Sequence, residues 1–207
     1  VQADDPEDAP YYLCCLVQNE TGYRNLTLLI SRAWQSNQHR GRAMIRREWL
    51  LELNEGLILL SAARAGDVGR LLVSEKTAEA TERAREYQQV FGDRFYLEVQ
   101  RTERPGDEQC LHATVALAAE LGIPVVATND VRFIDRDDFE AHEARVCIHD
   151  GNTLDDPRRT RKYSEQQYLK TADEMAELFS DLPEALENTV EIARRCSTNV
   201  VVPEGIH

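Results

Sequence analysis

A short apolar strand in the second half of the sequence ends in three polar residues. The apolar residues 123–127 are followed by Thr128, Asn129 and Asp130, and Arg132 lies two positions further along. The carboxyl end of such a strand is where α/β proteins usually place their chemistry. A carboxylate there can ligate a metal, whereas a guanidinium stays protonated and has no lone pair to offer one. The pattern predicts a polar site with one candidate ligand, Asp130, next to a cation.

Other residues that could bind a metal or act as a nucleophile are scattered along the chain. His142 and His149 share one face of a predicted helix, but they lie about 10 Å apart along its axis, so joint binding of one metal is disfavoured. Capping or surface roles are expected for both. His112 is isolated in another predicted helix, where a structural or exposed role is expected. Ser61 lacks the Gly-x-Ser-x-Gly setting of a nucleophile, which disfavours nucleophilic catalysis.

The most concentrated basic run consists of Arg158, Arg159, Arg161 and Lys162. A solvated loop is the expected structure, and contact with DNA or with an acidic partner segment is the alternative. The chain as a whole carries a net charge of −13. Because nonspecific DNA affinity comes from Lys and Arg that neutralise phosphates, such a chain is a poor nucleic-acid binder by itself.

Apolar runs alternate with helical patterns along most of the chain. The runs at residues 11–17, 56–61, 95–100 and around Val126 are predicted strands. The predicted helices cover residues 26–33, 77–91, 106–121, 139–148, 174–179 and 184–196. This alternation predicts βα units and a parallel sheet, open or closed into a barrel. The run at 11–17 is expected to be buried on both faces, after an acidic turn at 4–8.

Composition narrows the class of protein. At 207 residues and 42% apolar content, the chain is long enough for one sizeable core. Its five cysteines form an odd set without CxxC spacing, which favours free thiols in a reducing cytosol. It has no signal peptide and no long apolar run, so secretion and a membrane span are disfavoured. Because it begins with Val1-Gln2-Ala3 and not Met, we expect a piece of a larger protein.

Six short segments of the chain form a recognisable set. They are N-E-T-G-Y-R-N-L at 19–26, E-G-L-I-L-L-S at 55–61, F-G-D-R-F-Y-L-E at 91–98, A-T-N-D at 127–130, D-F-E-A-H-E at 138–143 and E-A-L-E-N-T at 184–189. In this order they resemble segments of one protein family, the PHP (polymerase and histidinol phosphatase) domain of bacterial DNA polymerase III alpha subunits. The resemblance runs from about residue 17 to residue 196 and thus covers nearly the whole chain.

The resemblance implies a fold and a domain division. The family fold is a distorted seven-stranded βα barrel, and the four predicted strands would be its later strands. Residues 1–150 would form the barrel portion. Residues 151–207 would be a loop and helical tail that closes the domain toward the polymerase region.

The resemblance also implies where metal ligands would lie in an active relative. A His in the strand before the first helix corresponds to Tyr12, and a Cys after the next strand corresponds to Ala63. The Asp and His that end the last strand correspond to Asp130 and Arg132. Three of these four positions have lost their donor, and the remaining ligands would lie upstream of Val1. We therefore expect a vestigial metal site, no catalytic residue and no cofactor in this fragment, with Arg132 pairing with Asp130 or another acidic group.

The role implied by the resemblance is structural. The parent chain would be the replicative DNA-directed DNA polymerase, with Mg²⁺ in its polymerase region and DNA bound through the parent chain. This segment would be a scaffold that docks the proofreading exonuclease (epsilon) subunit within the polymerase III holoenzyme, in the cytoplasm and without a membrane. The alternative is an active metal-dependent PHP phosphoesterase or 3′–5′ exonuclease. A stand-alone amidohydrolase-like barrel is a weaker option, because the chain has no His-x-His.

Overall fold

The computed structural model describes residues 1–3, 9–39 and 41–196. The acidic turn predicted at 4–8 and the last part of the predicted tail, 197–207, lie outside these residues. The strands are β1 (Cys14–Val17), β2 (Gln38–His39), β3 (Arg42–Ala43), β4 (Leu57–Leu60), β5 (Phe95–Gln100) and β6 (Val125–Thr128). The helices are α1 (Glu20–Ser36), α2 (Arg47–Glu52), α3 (Asp67–Val73), α4 (Thr77–Phe91), α5 (Asp107–Leu121), α6 (Phe139–Asp150), α7 (Ala172–Leu178) and α8 (Pro183–Arg195).

Four strands form one sheet in the order β1-β4-β5-β6. Strands β4, β5 and β6 are parallel, as the βα alternation predicts. Strand β1 is antiparallel to β4, with Cys14 opposite Leu60, so the prediction of a wholly parallel sheet is wrong at this strand. The chain enters β1 at the edge where β4 ends, which brings the residues before Cys14 to the carboxyl ends of the parallel strands. Within the described residues the sheet is open, and the seven-stranded barrel stays a prediction.

Burial in the sheet follows its position. Leu57 to Leu60 of β4 are all buried, because β4 lies between two strands and both of its faces are covered. Strand β1 is half-buried along its whole length, and Tyr12 just before it is 68% exposed. The prediction that residues 11–17 are buried on both faces is therefore wrong for 12–17, since β1 is an edge strand within the described residues; Tyr11 is buried. The five cysteines are all free, and only Cys110 and Cys147 are buried.

Two apolar clusters cover the two faces of the sheet. Leu57 and Leu59 face the larger cluster with Tyr87 and Phe91 of α4, whereas Ile58 faces the smaller one. This alternation is the two-residue period of a strand. Helix α8 packs on β6, and its Asn188 Nδ2 donates a hydrogen bond to the carbonyl of Val125 at 2.8 Å. Among the described residues, no helix is both long and apolar enough to span a membrane.

The start of α1 is fixed by a close approach between two glycines. Asn19 caps the helix by accepting a hydrogen bond from the Gly22 amide at 3.0 Å. A Cβ at Gly22 would lie 1.9 Å from the carbonyl oxygen of Gly56, so only glycine fits there. The glycine at position 22 is thus explained by packing.

We predict that Gly22→Ala lowers the free energy of unfolding by about 2–3 kcal/mol, because the added methyl meets rigid backbone. Urea denaturation of the two proteins measures the change. The control is Ser31→Ala on the exposed side of the same helix, which should change stability by about 0.5 kcal/mol or less. Equal effects of the two substitutions would contradict this account.

Candidate functional site

A cleft of about 770 Å³ lies at the carboxyl ends of β4, β5 and β6. Tyr12, Asp130 and Arg132 line it, so three of the four positions singled out in the sequence meet in one place. Ala63 is buried in the adjoining wall, and its neighbours Ala62 and Arg64 reach the cleft. Parallel strands end at one edge of a sheet, which explains why residues so distant in sequence converge.

Each polar residue at the end of β6 has a different partner. The hydroxyl of Thr128 donates to the carboxylate of Glu98 on β5. The side-chain amide of Asn129 donates to the carbonyls of Gln166 and Tyr168, at 2.9 and 2.8 Å. Asp130 turns into the cleft with a positive φ of 43°, a conformation that aspartate tolerates better than most residues. Residues 128–130 therefore join β6 to β5 and to the loop between α6 and α7.

The Asp130 carboxylate is surrounded by donors. Arg132 Nη2 lies 2.7 Å from Oδ1, and Arg104 Nη1 lies 3.0 Å from Oδ2. Gln167 Nε2 donates to Oδ2 at 2.8 Å. The expected pairing of Arg132 with Asp130 is present. Arg104 and Gln167 were not foreseen, because nothing in their local sequence connects them with a strand end so far away along the chain.

A buried carboxylate, Asp107 at the start of α5, shares Arg104 with the partly exposed Asp130. Its Oδ2 accepts a hydrogen bond from the hydroxyl of Thr102, and its Oδ1 lies 2.9 Å from Arg64 Nη1. Burial alone would raise the pKa of Asp107, but the Thr102 hydrogen bond and the two guanidinium groups outweigh it and hold that pKa below its usual range. Asp107 is therefore a stable anion that fixes two arginines at the cleft.

Glu98 on β5 is the other acidic group of the cleft, and the sequence pattern did not indicate it. Its side chain accepts hydrogen bonds from the Ala62 amide at 3.0 Å and from Gln100 Nε2 at 2.8 Å. Burial raises the pKa of Glu98 above its ordinary value, although these hydrogen bonds oppose the shift. Glu98 thus ties the turn after β4 to β5 and β6.

The cleft does not fit a catalytic metal centre. Across residues 1–3, 9–39 and 41–196, no three His, Cys, Asp or Glu side chains are grouped as a metal site. Both Asp130 oxygens already accept from guanidinium or amide groups, and Glu98 accepts from three donors. Among the described residues, the carboxylates of the cleft are thus paired with protein donors and are not grouped as a set of metal ligands.

The chain was compared with known protein families and with individual proteins. The PHP domain model matches residues 1–102. Proteins named DNA polymerase III subunit alpha are 60% identical over 196 residues in Pseudomonas fluorescens and 56% identical over 204 residues in Escherichia coli K12. These matches cover 95% and 99% of this chain, and 17% and 18% of the relatives. The chain belongs to the DNA polymerase III alpha-subunit family, as a PHP-domain segment. It spans less than a fifth of the length of these relatives.

The structure corrects the surface role expected for His142. In this PHP segment its ring is buried, with ring centroids 5.4 Å from Phe133 and 4.7 Å from Tyr163. The reason is that the loop after α6 folds back over the helix, which local sequence does not reveal. Burial lowers the pKa of His142, and the nearby Arg145 and Arg132 lower it further. His149 is exposed and contacts Asp150, and His112 is exposed too.

The basic run after α6 is only partly the solvated loop that was expected. Arg159 is an exception, because its side chain is only 8% exposed and pairs with Glu143, which is 5% exposed. Lys162 pairs with Asp150 at 2.7 Å, and Arg158 pairs with Asp156 at 3.1 Å. Among the described residues Arg161 is exposed and makes no ion pair. Three of the four side chains therefore form ion pairs within the chain, and of these four only Arg159 has a buried side chain.

We predict that Arg104→Met costs more stability than Arg132→Met. Arg104 is 13% exposed and contacts two carboxylates, so its loss should cost about 3 kcal/mol because it removes the positive charge between them. Arg132 is 43% exposed, and its loss should cost about 1 kcal/mol or less. Urea unfolding at neutral pH measures both values. The reverse ranking would show that Arg104 does not organise the cleft.

We predict that His142 makes the protein less stable in mild acid. Its pKa is lowered in the fold, so as the pH falls below about 6.5 the unfolded chain takes up a proton before the folded chain does. Stability should therefore rise with pH up to about 6.5 and fall below it. In His142→Phe the difference in unfolding free energy between pH 7.5 and pH 5.5 should shrink. His149→Gln, an exposed control, should keep the wild-type difference; equal behaviour of the two variants would argue against this assignment.

Proposed function

We propose that this chain is a non-catalytic scaffold segment of the bacterial replicative DNA polymerase III alpha subunit. The observation that carries the proposal is the Asp130 carboxylate held between Arg104 and Arg132. In an active relative the family pattern implies metal at this strand end. Here two guanidinium groups supply the positive charge, and both are side chains of the polypeptide itself.

The network is suited to a structural role because it joins separate parts of the chain. Arg104 follows β5, Asp130 follows β6, and Gln167 belongs to the loop beyond α6. Arg101 adds a bidentate pair with Asp181, which lies between α7 and α8, at 2.6 and 2.8 Å. The contacts of Gln167 and Asp181 cross the proposed boundary between a barrel portion at 1–150 and a tail at 151–207, and they support a tail that closes onto the rest of the segment.

The activity of the whole protein is part of the proposal. The longer chain would carry out DNA-templated nucleotidyl transfer with Mg²⁺ in its polymerase region, in the cytoplasm and within the polymerase III holoenzyme. The PHP segment would dock the proofreading exonuclease (epsilon) subunit. Support for these roles comes from the names of the relatives and from the family resemblance.

An active phosphoesterase or 3′–5′ exonuclease is the second candidate function, and the cleft argues against it. Tyr12 and Ala63 stand where ligands are expected, and Arg132 places a cation where a histidine would be. The chemistry of PHP enzymes requires several metal ligands, and a single available carboxylate does not hold a metal cluster.

Metal analysis of the full-length alpha subunit tests the proposal. Purified without chelators, the subunit should hold far less than one equivalent of zinc, manganese or iron at this site, as measured by elemental analysis. Asp130→Asn is the matched control, and it should leave the metal content unchanged. A tightly held ion that is lost in Asp130→Asn, together with 3′–5′ exonuclease activity of the isolated subunit, would overturn the scaffold assignment. Arg132→His should also fail to create a metal site, since Tyr12 and Ala63 still supply no ligand.

A further inference from the structure

Helix α1 exposes a stripe of large apolar side chains. Tyr23, Ile30 and Trp34 are 43%, 46% and 54% exposed, and Thr27 lies between them on the same side of the helix. Positions i, i+4, i+7 and i+11 share one face of an α-helix, so these four residues, the α1 stripe, form a continuous row. Contiguous apolar surface of this kind on a folded protein marks an interaction site.

The α1 stripe lies next to the buried face of the same helix. The buried face of α1 contains Gly22, Leu29 and Ala33. Leu26 lies between that face and the α1 stripe around the helix, and it is partly buried against the main apolar cluster. The stripe is therefore the outer margin of a packed apolar surface, and a second layer placed over it would extend the same core.

The charges around α1 do not solvate the stripe. The chain has 37 Asp and Glu residues, but none lies between Thr21 and Arg47. The two arginines of the helix are engaged elsewhere. Arg24 pairs with Glu20, and Arg32 pairs with Glu52 at 3.1 Å and stacks on the ring of Trp49. Neither arginine of α1 is left unpaired, so the helix itself offers no free cation to the phosphates of a nucleic acid.

The spacing and chemistry of the stripe match a second helix. Side chains at i, i+4, i+7 and i+11 interlock with the corresponding rows of a neighbouring helix. We propose that the α1 stripe is covered by an amphipathic helix from another part of the same polymerase polypeptide. The chain spans only 17–18% of the length of its curated relatives, so their longer polypeptides contain ample sequence to supply it. Continuity with the core favours this source over a dissociable partner. The inference does not depend on exonuclease docking.

Photo-crosslinking in the full-length alpha subunit tests the proposal. Trp34 is replaced by p-benzoylphenylalanine, and the same replacement at Leu28 serves as the control. Leu28 is 55% exposed, but it lies on another side of α1. Irradiation of the purified subunit should join position 34 to a peptide elsewhere in the same polypeptide, with a yield that does not depend on protein concentration. The peptide should show apolar residues at helical spacing, and position 28 should give little of this product.

Other outcomes overturn the proposal. Crosslinks that need added exonuclease subunit would assign the stripe to that partner, and concentration-dependent crosslinks between two copies would assign it to self-association. Yields at position 34 no higher than at position 28 would show that nothing covers it. Hydroxyl-radical footprinting of the unmodified subunit keeps the test valid if the replacement disturbs folding. Covered Trp34 should be oxidised about fivefold more slowly than its 54% exposure implies, because a packed contact excludes water; oxidation at the full rate would contradict the inference.

Discussion

The rest of the cleft depends on the contacts that the guanidinium of Arg104 makes. It lies 3.0 Å from Asp130 and 3.5 Å from Asp107, and its Nε donates to the hydroxyl of Thr102 at 2.8 Å. These groups come from the end of β6, the start of α5 and the turn after β5. The planar group has five donors in fixed directions, so one side chain can fix all of them at once. No other described side chain contacts both carboxylates.

The position of Arg104 between two carboxylates lowers the electrostatic cost of bringing them together. Two carboxylates near the same strand ends repel each other and lose hydration when they are buried, and a positive charge between them offsets both costs. An active metal centre would supply that charge with a bound ion. A guanidinium supplies it as part of the chain, independent of metal supply, but each donor that it places on a carboxylate oxygen occupies a lone pair that a metal would use. The same contacts that stabilise the cleft therefore oppose metal binding.

Local sequence predicted much of the fold and one contact of the cleft. Periodicity located the parallel strands and the longer helices, because the two-residue and 3.6-residue periods are local properties. The Asp130–Arg132 pair was predictable since its members are two residues apart. Arg104, Glu98 and Gln167 were not, because their contacts depend on how distant segments meet.

The errors have the same origin. β1 was expected to be parallel and fully buried. Its direction depends on where the chain crosses the sheet edge, and its burial is limited because β4 is its one strand neighbour among the described residues. His142 and Arg159 were expected at the surface. They are buried because the loop after α6 folds back over that helix, which a pattern read along one segment does not reveal.

The segments that carry the family resemblance are explained mostly by packing, and this bears on what the chain does. The segment at 19–26 meets the segment at 55–61: Gly22 lies against the carbonyl of Gly56, and Asn25 Nδ2 donates to the carbonyl of Glu55 at 3.0 Å. Asn188, in the segment at 184–189, holds α8 to β6. None of these contacts needs a metal or a substrate. These framework contacts do not involve the positions that the resemblance assigns to metal ligands. They therefore explain why the resemblance extends over nearly the whole chain although arginine stands at position 132.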